Sequence, residues 1–270
     1  MTNAKLTRRR FIRAGAAGLG AGLMGCDGAA QGPAGRSVLE LAEHVTYHTQ
    51  RLLLGANRLA PEFSESDISP NFKANGTSDP PDEAYKALAT NNFVGWRLRV
   101  DGLVTNPLNL SLPDLRAFPA LTQITRHDCV EGWSCIGKWT GSPLSEVLAL
   151  AGTRSQARFV VFYCADTMEG GEAVGETKTR ATLDNEPIRY YESLDLIDAL
   201  HPQTILAYEM NGEPLPVAHG APLRLRVERQ LGYKMAKYLT RIELVDSYAA
   251  IGGGRGGYWE DRGYDWYAGI

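Results

Sequence analysis

The sequence has little of three features that would each indicate a particular class of protein: surplus basic charge, paired cysteines and long apolar runs. Its 270 residues carry a net charge of −3, so it lacks the basic surface that nucleic-acid binding requires, and we expect no nucleic-acid partner. No C-x-x-C pair occurs, and neither does the C-x-x-C-H motif that attaches haem covalently. The apolar stretch 14–25 is too short and too rich in glycine to span a bilayer. A nucleic-acid-binding protein and a covalent haem carrier are therefore excluded.

Glycine and proline, by contrast, are plentiful, at 29 and 14 residues. Both favour turns and interrupt helices, so the composition favours many short strands over a helix bundle. The chain is 44% hydrophobic and 22% charged, which is typical of a globular protein with a core of normal size. We therefore expect an α+β fold of mixed β-sheets with short helices.

The N-terminus resembles an export signal. Residues 7–13, TRRRFIR, form a twin-arginine pattern, which is typical of proteins that are exported already folded, often around a cofactor. Residues 23–26, LMGC, resemble a lipoprotein cleavage box in which Cys26 receives a lipid. The alternative is an ordinary cleaved leader in which Cys26 has no role. The pattern predicts a periplasmic or membrane-anchored protein outside the cytoplasm, exported folded by the twin-arginine route, with a lipid anchor at Cys26 as the favoured alternative.

The cysteine count indicates an unpaired thiol. The chain has four cysteines, Cys26, Cys129, Cys135 and Cys164. If Cys26 carries a lipid, three remain, and in an exported protein an odd number leaves at least one thiol without a disulfide partner. That thiol must be tolerated, reactive or bound to another group.

Periodic segments predict the secondary structure between the N-terminal arm and the tail. Trp96, Leu98 and Val100 alternate with charged residues, which predicts a half-buried strand. Ser142 and Ser193 are predicted to cap helices, the first of which stops at Gly152. The other predicted elements are helices over 38–50 and 83–90 and one starting at 113, strands over 121–127, 158–163, 205–210, 223–227 and 238–245, and a flexible glycine hinge over 252–257.

The segment 126–133, RHDCVEGW, is the strongest candidate for chemistry. Cys129 follows a predicted strand, and the neighbouring Arg126 and His127 are expected to lower the pKa of its thiol. A thiolate is a soft ligand that suits a transition metal. Three interpretations are open from the residues alone: Cys129 binds a metal that a cofactor mainly holds; Cys129, His127, Cys135 and a distant histidine bind zinc; or Cys129 is a buried structural cysteine.

Three separated segments carry a resemblance to a known family. Residues 126–141, then 207–224 (AYEMNGEPLPVAHGAPLR), then 232–242 (GYKMAKYLTRI) resemble, in order, three signatures of the sulfite oxidase family of molybdopterin enzymes. The resemblance extends over most of residues 69–267. It implies the sulfite-oxidase-type molybdopterin-binding fold and Mo-molybdopterin as the cofactor.

The resemblance also implies roles for individual residues. Cys129 matches the family's protein ligand to molybdenum, and Tyr264 matches a tyrosine that reaches the molybdenum pocket, where its phenol can donate a hydrogen bond. The residues that match cofactor-binding positions are Lys73, Ala74, Cys164, His219, Arg224, Met235, Ala236 and Lys237. Arginine suits such a position because its planar guanidinium pairs with phosphate through two hydrogen bonds.

The sequence departs from true sulfite oxidases at the anion-binding positions. Those enzymes have arginines where this chain has Ala74 and Ser134, so an oxyanion clamp is missing. The chain ends at Ile270 without the family's dimerisation domain. In these respects it is more similar to the monomeric periplasmic methionine sulfoxide reductase catalytic subunits, although their aromatic and glutamate at the Lys73 and Ala74 positions are absent here.

The resulting hypothesis is an exported molybdenum-cofactor oxidoreductase that transfers an oxygen atom to or from a small S- or N-oxide. A separate membrane or soluble haem protein would exchange the electrons, because the chain has no haem motif of its own. The alternative is a non-catalytic, lipid-anchored binding protein that retains the fold. The predicted organisation is a signal over 1–26, an arm with a cofactor-contacting loop over 27–83, a molybdopterin-binding catalytic domain over 84–250, and a hinge with an aromatic tail that covers the pocket over 251–270.

Overall fold

A computed structural model describes residues 33–168 and 188–270. The predicted export signal and Cys26 lie outside these residues. The chain divides into two compact units, residues 1–53 and residues 54–270. In the first unit the described part is one helix, α1 (Pro33–Leu54), which is longer at both ends than the predicted 38–50. Of the helices in the described ranges, none combines the length and the apolar character that a membrane crossing requires. All further elements belong to the second unit.

In the described parts of the second unit, residues 54–168 and 188–270, ten strands form two five-stranded sheets. The strands are β1 (Leu98–Gly102), β2 (Leu108–Leu110), β3 (Leu121–Asp128), β4 (Ser134–Pro143), β5 (Phe159–Thr167), β6 (Arg189–Asp195), β7 (Ile205–Met210), β8 (Glu213–Pro214), β9 (Arg224–Arg226) and β10 (Leu239–Val245). The first sheet has the order β2-β1-β10-β5-β6, and the second has the order β3-β4-β7-β8, with β9 also paired to β7. The predicted mixed sheets are confirmed.

The first sheet carries the main hydrophobic core. β1 pairs in parallel with β10, with Val100 opposite Ile242, and the other pairs in this sheet are antiparallel. Leu98, Val100 and Ile242 are fully buried, and the predicted alternation of Trp96, Leu98 and Val100 is confirmed because all three side chains face this core. The sheet therefore supplies a rigid support on which β5 and β10 lead into the candidate site.

Within residues 54–168 and 188–270, one short α-helix precedes the strands and three lie between them: α2 (Glu83–Thr90), then α3 (Leu112–Arg116), α4 (Leu144–Ala151) and α5 (Leu196–Ala199). The helix predicted over 83–90 is confirmed; the side chain of Asp82 caps it by accepting from the Tyr85 backbone N–H. α3 begins with a capping box between Ser111 and Asp114. α4 ends at Gly152, as predicted, with Gly152 in the left-handed conformation.

Both predicted serine caps are wrong. Ser142 is the penultimate residue of β4, and its hydroxyl donates to the Leu115 carbonyl at 2.7 Å instead of capping α4. Ser193 lies inside β6, and Asp195 caps α5 in its place. The hydroxyl of Ser193 donates to the carbonyl of Gly256, so it holds the tail rather than a helix.

The C-terminal tail folds back against β6. The Tyr258 N–H donates to the Tyr191 carbonyl at 3.0 Å, and the Asp261 carboxylate accepts from the Gly253 N–H at 2.7 Å. A short 3₁₀ helix over Glu260–Arg262 then turns the chain towards Tyr264. The glycine segment 252–257 is thus held by hydrogen bonds in this structure, and its predicted flexibility stays a prediction.

Candidate active site

A cavity opens at the end of β3, where the two sheets, the N-terminal arm and the tail meet. Cys129 and Glu131 line it from the turn after β3, and Asp166 lines it from β5. The other lining residues come from the arm, from the turn after β3, from the end of β5, from β6, from the loop before β10 and from the tail. They are Asn75, Gly76, Thr77, Val130, Met168, Tyr190, Gly232, Tyr233, Met235, Lys237, Trp259 and Tyr264. Cys129, Met235, Lys237 and Tyr264 were predicted as site residues, and the structure brings these four together.

Cys129 sits at the tip of the hairpin that joins β3 to β4. Its N–H donates to the Trp133 carbonyl at 2.9 Å, and its carbonyl accepts from the Gly132 N–H at 3.0 Å. Gly132 has a φ of +85°, a conformation that glycine adopts without strain. These backbone bonds fix the turn, so the Cys129 thiol is presented at the cavity, partly exposed, by a closed loop.

The expected low pKa of the Cys129 thiol is wrong. Burial raises the pKa, the Glu131 carboxylate raises it further, and Lys73 lowers it only partly. Arg126 does not act on the thiol because its guanidinium pairs with Asp128 at 2.9 Å. The pKa of His127 is held well below its ordinary value by burial and by Arg226, so this imidazole is neutral near pH 7. Without a bound metal, therefore, the thiol is protonated.

Two buried cations, Arg224 and the cavity-lining Lys237, form no salt bridge with a carboxylate among the described residues. The Arg224 guanidinium is fully buried; it donates to the carbonyls of His219, at 3.0 Å, and Met235, at 3.3 Å, and lies 5.0 Å above the Trp139 ring. The Lys237 ammonium donates to three backbone carbonyls, including that of Asn75 at 2.6 Å.

The electrostatic cost of this arrangement appears in the pKa values. Burial, and then the charge of Arg226, lower the pKa of Arg224 to about 9. Burial, and then the charge of Arg224, lower the pKa of Lys237 to about 7 and that of His219 to about 4. Buried charges normally have counter-ions. This positive cluster therefore fits an anionic ligand group such as a phosphate.

Buried polar atoms without partners surround the same cluster. Asn75 Oδ1, His219 Nδ1 and Arg224 Nε are buried and make no hydrogen bond with the described residues. Such atoms are rare in folded proteins and indicate a missing partner. The phosphate and the polar ring edge of a pterin would supply acceptors and donors to them, so the residues present fit molybdopterin. His219, Arg224 and Lys237 would hold its charged end.

The predicted site residues of the N-terminal arm, Lys73 and Ala74, directly precede the arm residues that line the cavity. Lys73 is exposed; its ammonium pairs with Glu131 at 3.3 Å and lies 5.1 Å above the Trp133 ring. Neither Lys73 nor Ala74 lines the cavity, whereas the next three residues, Asn75 to Thr77, do. The predicted loop is therefore at the site, and its cavity-facing residues begin at Asn75, directly after the two predicted residues.

The remaining predicted residues support the site from behind. Ala236 is buried, and its carbonyl accepts from the Leu225 N–H at 2.8 Å, which ties the loop before β10 to β9. Cys164 is fully buried in the core of the first sheet and does not line the cavity. Burial raises the pKa of Cys164 well above its ordinary value, and Asp166 raises it further. A contact between the Cys164 thiol and a cofactor stays a prediction.

An aromatic wall closes the opposite side of the cavity. Tyr264 stacks on Trp259, with ring centroids 5.2 Å apart, and contacts Tyr233 edge-on at the same distance. The Tyr264 N–H donates to the Trp259 carbonyl at 3.0 Å, which fixes the turn between them. The tail therefore brings a phenol to the same cavity as Cys129. The sequence predicted Tyr264 but not Trp259 or Tyr233.

The sequence analysis also missed Asp166, a buried carboxyl group in the cavity wall. Burial raises its pKa to about 6, although Lys237 acts in the opposite direction. Asp166 ends a nearly continuous apolar run, and a carboxylate at the end of a buried strand is a signal that could have identified it. The zinc interpretation of Cys129 has no ligand set in the described residues, because no three His, Cys, Asp or Glu side chains group there as a metal site.

Known proteins are similar to this chain over most of its length. It is 38% identical over 220 residues to a putative protein-methionine-sulfoxide reductase subunit YedZ1 of Azospira oryzae, an alignment that covers 82% of this chain and 71% of that protein. It is 38% identical over 177 residues to the protein-methionine-sulfoxide reductase catalytic subunit MsrP of Xanthomonas campestris pv. campestris, which covers 65% of this chain and 52% of that protein. The chain thus spans about half the length of the latter relative.

A solved structure is similar in part. The sulfane dehydrogenase SoxCD from Paracoccus pantotrophus is 24% identical with a TM-score of 0.46, and the match covers 56% of this chain and 38% of that chain.

The family model described as an oxidoreductase molybdopterin binding domain matches residues 86–250, which is more than half of the chain. The resemblance that the three sequence segments predicted is confirmed: the chain belongs to the family of oxidoreductases with a molybdopterin-binding domain, and its cofactor is Mo-molybdopterin.

Proposed function

We propose that this protein reduces a small S-oxide or N-oxide, with Cys129 as the protein ligand to molybdenum. The observation that carries the proposal is the shared cavity of the Cys129 thiol and the Tyr264 phenol, beside a buried positive cluster that would hold the cofactor's phosphate. When bound, molybdopterin supplies the redox chemistry through its metal. The protein supplies the thiolate, a cavity of low polarity and the groups that orient the substrate.

The charge of the cavity favours a neutral oxide over an oxyanion. Its lining includes the carboxyl groups of Glu131 and Asp166 and, of the cations, only Lys237, which three carbonyls engage. Ser134, which stands where true sulfite oxidases have an arginine, does not line the cavity, and its hydroxyl donates to Asp128. Like charges repel strongly in a partly buried site. A dianion such as sulfite is therefore disfavoured, and a neutral sulfoxide is accepted.

The relatives point to the same class of substrate. Their names specify methionine sulfoxide reductases, and reducing a sulfoxide removes one oxygen atom as water at the expense of two electrons and two protons. Tyr264 lines the cavity, and its phenol can donate a hydrogen bond to the oxide oxygen. The electrons would come from a separate haem protein, in the membrane or soluble. Export by the twin-arginine route, with a lipid at Cys26 as the anchor, would place the enzyme outside the cytoplasm.

The experiment compares two cysteine variants of the full chain, purified after export from molybdenum-replete cells. Cys129→Ser is expected to keep the fold and the pterin but to lose turnover with a reduced dye and a sulfoxide. Cys135→Ser is the matched control, because Cys135 is buried on β4 and does not line the cavity. This variant should retain activity. Wild-type turnover by Cys129→Ser contradicts the ligand assignment. Folded wild-type protein without molybdenum supports the alternative of a non-catalytic binding protein.

A further inference from the structure

A fully buried ion triad lies behind the aromatic wall of the cavity. The Lys234 ammonium donates to Glu192 Oε1 at 2.5 Å and to Glu260 Oε1 at 2.6 Å. All three side chains are at most 1% exposed. The Trp266 ring lies 5.4 Å from the same ammonium, so the tail contacts Lys234 a second time.

The two carboxyl groups of the triad share one ammonium. Burial, and then the neighbouring Glu260, raise the pKa of Glu192 well above its ordinary value. The pKa of Lys234 is raised, because the attraction of the two carboxyl groups exceeds the opposing effect of burial. The ammonium therefore stays charged between them.

The backbone of the tail is shaped to fit this triad. A Cβ atom on Gly257 would lie 2.0 Å from Glu260 Oε2 and 2.7 Å from Glu192 Oε1, which is too close for any side chain. Glycine at this position lets the tail pass directly over the carboxyl groups. The tail is thus seated on the triad by shape as well as by charge.

The triad joins three of the segments that line the cavity. Lys234 belongs to the 3₁₀ turn Gly232–Lys234, next to the lining residues Tyr233 and Met235. Glu192 belongs to β6, two residues after the lining residue Tyr190. Glu260 follows Trp259 directly, and its carbonyl accepts from the Gly263 N–H at 3.1 Å in the turn that delivers Tyr264.

A buried ion group of this kind contributes little net stability. Desolvation offsets much of the attraction, and replacing such a group with well-packed apolar side chains is often neutral or stabilising. Such a group can instead favour a single arrangement of the chain segments that carry it, because each buried charge is stable only beside a group of opposite charge. Because the triad lies behind the aromatic wall, it would determine the arrangement of that wall.

We propose that Lys234 and Glu260 are positioning residues that hold Trp259 and Tyr264 in place opposite Cys129. The effect on catalysis rests on the function proposed above. The structural role of Lys234 in holding the tail does not depend on that function. Removing the ion pair between Lys234 and Glu260 should release the tail. The cofactor should stay bound, because neither Lys234 nor Glu260 belongs to the positive cluster around Arg224 and Lys237.

The test uses the full, molybdenum-loaded protein and two variants. Glu260→Leu removes the tail's carboxyl group and leaves Lys234 paired with Glu192. The triple replacement Lys234→Met, Glu192→Gln and Glu260→Gln removes all the charges at similar volume, so it folds even if the single variant does not. Leu148→Ala is the control, since Leu148 is fully buried in the core of the first sheet and away from the cavity lining and its loss lowers global stability without touching the triad.

The first readout is hydrogen exchange. Amides over residues 255–265 should exchange about tenfold faster in either triad variant than in the wild type, while the core strands keep their protection. The second is kinetic: KM for the sulfoxide should rise by about tenfold with unchanged molybdenum and pterin content. Wild-type exchange over 255–265, or an equal increase in Leu148→Ala, overturns the proposal. If the wild type reduces no oxide at all, the proposed function fails, whereas the exchange result still decides the link.

Discussion

A Cβ atom on Gly232 would lie 2.3 Å from Nε2 of His127. His127 is completely buried two residues before Cys129, and Gly232 lines the cavity from the loop before β10. The loop before β10 and the end of β3 are therefore packed so closely that only a residue without a side chain fits between them. The spacing of these two segments contributes to the width of the cavity beside Cys129.

Gly232→Ala should consequently damage the site more than the fold. The added methyl group displaces the loop, at a cost of about 1–3 kcal/mol in the free energy of unfolding, and moves Tyr233, Met235 and the rest of the loop away from Cys129. We expect molybdenum content to fall, as measured by elemental analysis of purified protein. Gly95→Ala is the control, because a Cβ there makes an ordinary contact of 3.5 Å with Leu88. Full molybdenum content in Gly232→Ala would show that the loop can move without consequence.

The pKa of Lys237 predicts a pH dependence of stability in cofactor-free protein. Burial lowers this pKa to about 7 in the folded state, against 10.5 for an ordinary lysine. Between these values the unfolded chain binds a proton that the folded protein does not, so stability rises with pH from about 7 towards 10.5 and is independent of this group below that window. The slope contributed by one such group is at most about 1.4 kcal/mol per pH unit.

Urea unfolding of cofactor-free protein at pH 7, 8 and 9 measures this slope, at values below the range where tyrosines titrate. Lys237→Met should flatten the rise, whereas Lys86→Met, which removes a half-exposed lysine of α2, should leave it unchanged. A slope that persists in Lys237→Met would assign the pH dependence to another group. Bound molybdopterin should also abolish the rise, because a phosphate stabilises the charged ammonium.

Tyr264→Phe separates the phenol from the ring. The variant keeps the stacking on Trp259 and loses only the hydroxyl, so kcat for the sulfoxide should fall about 10–100-fold, the worth of a hydrogen bond to a developing charge. Tyr264→Leu removes the stacking as well and should raise KM in addition. Steady-state kinetics with a reduced dye distinguishes the two effects. If Tyr264→Phe turns over like the wild type, the residue serves only as part of the aromatic wall.

Local patterns predicted the elements that depend on local interactions. The helix over 83–90 and the strand over 121–127 were both predicted, and both are confirmed. β4 was missed because its sequence, SCIGKWTGSP, contains glycine and proline, which normally interrupt strands. Gly141 is required there by tertiary packing: its Cβ would lie 2.2 Å from the Leu206 carbonyl oxygen on β7. β6 was missed because nearly all of its residues are buried and no alternation marks it.

The members of the candidate site could be predicted from sequence signatures, but the charges and pKa values of its groups could not. Cys129, Lys237 and Tyr264 are far apart in the chain, and only the three family segments indicated that they would meet. The environment of the thiol could not be read from its neighbours, since Arg126 turns to Asp128 and His127 is buried as a neutral imidazole. The offset between Lys73 and Asn75 has the same origin, because a loop without periodicity does not reveal which side chains face inward.

The parallel pairing of β1 with β10 joins segments near the two ends of residues 86–250, the region that the family model matches. Because β10 lies between β1 and β5, the first sheet has no central strand until residue 245 has been synthesised. Residues 98–245 must therefore all emerge from the ribosome before the core can close, and contacts between such distant segments form slowly. Molybdopterin, whose proposed contacts include Cys129 and Lys237, is expected to bind only after that stage.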